Sequence, residues 1–116
     1  MNFYRLHIAT ENKAIYDSVS KILNVLPSSM DEESFGIWVY GIEDKDEDSC
    51  LDFINIFMDI LEPNLMRLES IGIERSDISI WRIYEYDQQC GMEISPADMS
   101  RLGNNGITLC IDCFQK

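Results

Sequence analysis

Positive charge and imidazole are what this chain has least of: nine lysines and arginines and one histidine among 116 residues. His7 has no serine or cysteine at a recognisable motif spacing, so no nucleophile–base pair can be read from the sequence. The bases Arg5, Lys13, Lys21, Lys45, Arg67, Arg75, Arg82, Arg101 and Lys116 are scattered rather than gathered into a stripe. They cannot line up on phosphates, which argues against nucleic acid as a partner. The six glycines form neither G-x-G-x-x-G nor a P-loop, and G-x-S-x-G does not occur. The expectation is therefore a protein that is not an enzyme and needs no cofactor.

Long apolar runs are missing too. No window approaches the roughly 18 apolar residues of a membrane span, so no membrane role is expected. The opening "MNFYRLHIAT" sets Arg5 and His7 inside its most apolar part, which suits a strand better than a signal peptide. Four cysteines at irregular positions, with no export signal, point to free thiols in a reducing cytoplasm. With no Pro/Gly/Ser linker and no internal repeat, residues 1–116 read as one domain.

Acid is what the chain has in excess: 21 carboxylates and a net charge of −12. Between Lys21 and Arg67 eleven acids face a single base, Lys45. Such a field repels anions and draws in a basic partner by steering, although a solvated acidic face that keeps the protein soluble has the same composition.

The periodicities give the order β-α-β-α-β-β-α-β: an α/β (α+β sandwich) fold, one mixed sheet of about five strands, with helices mainly on one face. Residues 3–9 alternate as a strand, and Ile15, Val19, Ile22 and Leu23 recur at helical spacing. "FGIWVYGI" is apolar on both faces, which predicts a central strand. Ser49 to Asp52 resembles a capping box, and the apolar helix after it is broken or kinked at Pro63. "DISIWRIYEYD" is the third long strand, and "MEI" is a short one. Ser95 then caps a helix that has Pro96 at its first position and Gly103 as its expected end.

Cys110 and Cys113 lie in "ITLCIDCF" with the C-x-x-C spacing of a zinc knuckle or a redox dithiol. No glycine or proline makes the turn that would converge them, so the segment reads as a strand whose alternation sends the two thiols to opposite faces. The run "DKDEDS" imitates the start of a calcium loop, but its sixth position is Ser49 and its twelfth is Asn55. No metal site is expected.

Recognition chemistry concentrates in "WRIYEYDQQC", where Trp81, Tyr84 and Tyr86 sit among charged and amide side chains. The aromatics equally fit a packing role. The pieces "DILEPNLMRLESIGI", "ISIWRIYEYDQQCGMEISPADMSRLGNNG" and "ITLCIDCF", about the C-terminal 60% of the chain, together resemble small bacterial α/β immunity-type proteins of polymorphic and contact-dependent growth-inhibition toxin systems. The resemblance implies a cytoplasmic immunity protein that neutralises a cognate, basic, nuclease-type toxin domain. Glu43, Asp44, Asp46, Glu47 and Asp48 would steer the partner, and Trp38, Tyr84, Tyr86 and Asp87 would anchor it. The alternative is a small-ligand-binding or regulatory domain with a pocket near Pro63. A hydrolase built on paired carboxylates comes third, and the oligomeric state stays open.

Overall fold

The computed structural model describes residues 2–28, 35–44, 50–86 and 91–115. Strand β1 (Asn2–Ala9) buries Tyr4, Leu6 and Ile8 at every second position. Helix α1 (Lys13–Leu23) starts at Asn12, whose side chain accepts a hydrogen bond from the Ile15 N–H at 3.0 Å, and stops where Asn24 turns left-handed at φ 57°. Its buried face is Tyr16, Val19 and Leu23, one residue per turn. Strand β2 is Ile37–Asp44, and helix α2 (Phe53–Leu61) buries Phe53, Ile54, Phe57, Met58 and Leu61.

Pro63 lies in a 3₁₀ turn, Glu62–Asn64, which separates α2 from the short α3 (Leu65–Ser70). Gly72, at φ +94°, closes that helix: its N–H reaches Glu69 O at 3.0 Å, and the Ile73 N–H reaches Leu68 O at 3.0 Å. Strand β3 is Ile78–Tyr86, α4 is Pro96–Asn105 and β4 is Thr108–Gln115.

The strand order is β2-β1-β3-β4, with the first two pairings antiparallel and β3–β4 parallel. This is an α/β fold on a mixed sheet, and α4 supplies the crossover that a parallel pair requires. One core cluster joins Tyr4, Leu6, Ile8, Trp38, Ile78 and Ile80 of the sheet to buried residues of all four helices. The register puts those six strand residues on the same face.

Three expectations need correction. The sheet has four strands among the described residues, because 91–95 are irregular: Ile94 is held by packing on the core cluster, and a three-residue segment before the Ser95 cap forms no ladder. β2 is an edge strand. Its outer backbone groups are met by Ser28, whose N–H donates to Val39 O at 2.7 Å and whose Oγ accepts from the Gly41 N–H at 3.0 Å, while Trp38 and Val39 are both buried. Finally, α4 continues through Gly103 and ends at Gly106, whose φ of +69° permits the left-handed cap.

α4 is fastened to α2 by polar contacts. Arg101 donates to Glu62 at 2.6 Å, to Asp59 at 2.8 Å and to Asn55 at 2.6 Å. Asn55 in turn donates to Asp98 at 2.9 Å. Arg101→Ala would leave Asp59 and Glu62 close together without their shared cation, and should lower stability by about 1–2 kcal/mol at pH 7. The hydrogen bond from Arg101 holds the Glu62 carboxyl below its ordinary range. That contribution is present above the unfolded carboxyl's pKa and is lost as pH falls through the lower folded value. Urea unfolding at pH 7 and pH 3 should show the gap between wild type and variant closing in acid.

Candidate functional site

The sheet's two faces differ in chemistry at the end where β2, β3 and β4 finish and β1 begins. On the core side, Asp44, Asn2, Tyr84 and Cys113 form one row across the four strands, and Ile42, Tyr4, Arg82 and Ile111 form the next. Arg82 is buried, donates to Asn2 Oδ1 at 3.2 Å and lies 4.8 Å from the Tyr84 ring centroid, while its Nε has no partner. Tyr84 and Tyr86 stack at 6.5 Å and are half-buried. The Tyr4 hydroxyl donates to Cys50 Sγ at 3.7 Å and accepts from the Leu51 N–H at 3.2 Å, tying the approach to α2 onto β1. Burial first, then the bond to Cys50, pushes that phenol up to about 12.

The opposite face carries Glu43, Phe3, Ile83 and Asp112 in one row, with Gly41, Arg5, Trp81 and Cys110 beside it. Glu85 pairs with Phe114 at the far end. The His7 ring stacks on Trp81 at 5.0 Å, and Trp81 Nε1 donates to Ser79 Oγ at 2.8 Å. Burial, with Arg5 second, holds the His7 pKa below that of a free imidazole. His7 Nε2 is buried without a partner. A shallow hollow of about 220 Å³ opens at this face's β2 side, lined by Phe3, Arg5, Ser28, Gly41 and Glu43 among others.

The residues expected to act together are thus divided. Glu43 is exposed on one face of β2, and Asp44 is half-buried on the other. Trp38 is 0% exposed, with its Nε1 donating to Ser20 Oγ at 2.9 Å, so as an interface anchor it must be corrected to a core residue. Its neighbours on alternate positions of β2 share the same apolar character, which hid the difference. Tyr84 and Tyr86 share the core-side face with Asp44 but not with Glu43. Asp46, Glu47, Asp48 and Asp87 lie outside the described residues.

Sequence reasoning passed over Phe3, Ile83 and Asp112 because each is unremarkable alone; only the register sets them in line. The same register sends Cys110 and Cys113 to opposite faces, Cys110 with Trp81 and Cys113 with Tyr84. No group of three metal-ligating side chains gathers among the described residues. Among them, no helix is long and apolar enough to cross a membrane. Pro63 is exposed, while Leu61 and Leu65 on either side of it are buried. A hollow of about 150 Å³ lies elsewhere, between the end of β1 and the turn at 71–73. A wider, open hollow of about 480 Å³ beside it is lined by Glu69, Gly72, Ile73, Glu74 and Arg75. No family model, curated protein or solved structure matches the chain.

Proposed function

We propose that this chain is an immunity-type protein that binds and neutralises a basic, nuclease-type toxin domain in the cytoplasm. The observation that carries the proposal is the distribution of charge: 21 acids against nine bases in all, with eleven of the acids and a single base between Lys21 and Arg67. In this reading the sheet holds its helices on one face and leaves aromatic strand ends for contact. Long-range attraction sets the encounter rate, and aromatic contacts set the lifetime of the complex.

Co-expression with the toxin-like protein encoded immediately upstream tests it, with rescue of growth and a co-purifying complex as the expected result. A neighbour of that kind that neither binds nor is neutralised would end the proposal. Reversing Glu43, Asp44, Asp46, Glu47 and Asp48 together should slow association at least roughly tenfold in dilute salt and far less at 0.5 M, where screening is nearly complete. Equal slowing at both would argue against steering.

A further inference from the structure

The face turned away from the core cluster has a linear arrangement of charge. Along one row the register places Glu43, Phe3, Ile83 and Asp112, so an acid stands at each end of two apolar side chains. Three strand spacings of about 4.8 Å put the two acidic positions roughly 14 Å apart. Glu43 and Asp112 are exposed, whereas Phe3 and Ile83 are half-buried. Phe114, on the same face beside Glu85, is 43% exposed. Arg5 is the one base that the register places on this face among the described residues, and it lies 5.9 Å from the Phe3 ring centroid rather than out at the rim.

An extended chain presents alternate residues on one side, and its positions i and i+4 are about 13–14 Å apart. A strand with cations at those two positions and an apolar residue between them therefore matches the row in length and in chemistry. The long stems of lysine or arginine would lie along Phe3 and Ile83 while their charged ends reached Glu43 and Asp112.

From this match we infer that the core-averted face is a docking surface for an extended basic segment of a protein partner. Two of its cations sit on Glu43 and Asp112, and one apolar side chain sits on Phe3 and Ile83. The inference rests on the protein-binding reading above and says where that binding occurs.

The test uses the full chain, labelled with nitrogen-15, and the peptide acetyl-Arg-Thr-Leu-Thr-Arg-amide. Amide shifts should saturate at millimolar peptide and be confined to residues around 3, 43, 83, 85, 112 and 114. The acidic counterpart, with glutamates for the arginines, should produce none. Glu43→Lys/Asp112→Lys should weaken binding at least roughly tenfold, and the milder Glu43→Gln/Asp112→Asn pair should weaken it in the same direction. Asp17→Lys/Glu93→Lys makes the same change in net charge at exposed positions on α1 and the 91–95 segment, and should change the affinity less than about threefold.

Three results would overturn the inference: no saturable shift, shifts spread over the helices, or equal weakening by the two reversal pairs. Each is independent of growth rescue by co-expression, so loss of the site and loss of the toxin-binding reading would be told apart.

Discussion

Trp38→Ala should cost about 3–5 kcal/mol, a large share of the roughly 5–15 kcal/mol available to a domain of this size. Trp38 is fully buried in a cluster that also holds Leu6, Ile8, Val19 and Ile78, so removing the indole leaves a cavity that its rigid strand neighbours can only partly close. Trp38→Phe should cost less, about 1–2 kcal/mol, because it retains most of the apolar fill and loses mainly the bond to Ser20, which is itself only half-buried. Urea unfolding followed by far-UV circular dichroism measures both. A surface anchor would behave otherwise: its truncation would leave stability within about 0.5 kcal/mol and act only on the complex. A small loss for the alanine variant would therefore return Trp38 to the candidate interface.

Arg82 should show the opposite asymmetry. Arg82 as a residue is 5% exposed; among the described residues its guanidinium donates to Asn2 and lies against Tyr84, and Nε has no partner. Desolvating a cation costs several kcal/mol, and one neutral acceptor with one ring face returns only part of it. Arg82→Met keeps the length of the side chain and removes the charge, so the protein should be equally stable or more stable by about 1–2 kcal/mol. Arg82→Glu should be destabilising by about 3–5 kcal/mol, because it would bury an unpaired carboxylate beside the side-chain amide oxygen Asn2 Oδ1, where a donor now stands. A methionine variant that lost more than 2 kcal/mol would show that the guanidinium stabilises the fold on balance, and that its ring and amide contacts outweigh desolvation.

These two side chains show how far residue patterns reach. Trp38 and Trp81 both sit in aromatic, β-branched strands, yet one is core and the other lies half-buried beside His7. Alternation specifies which residues share a face; it does not say which face meets the helices. Arg82 alternates with apolar neighbours in a strand whose charged positions look solvated, and only the pairing of β3 with β1 reveals that it is buried over Asn2. β4 makes the same point. Its alternation was legible, but residues 111–115 are exposed because they run on as an edge strand.

Local chemistry, by contrast, was settled by the chain itself. Asn12 and Ser95 accept the first helical N–H groups, Pro63 stands where α2 gives way to a 3₁₀ turn because it has no N–H to give, and Gly72 takes the left-handed turn that closes α3. Cys110 and Cys113 diverge because an extended backbone leaves them no alternative. The acid excess was equally plain. What required tertiary structure was every relation between elements: β2 at an edge, the Arg101 tether from α4 to α2, and the alignment of Glu43, Phe3, Ile83 and Asp112. Periodicity and capping act over a few residues and are written in order along the chain, whereas strand order and register are fixed by how distant segments share one core.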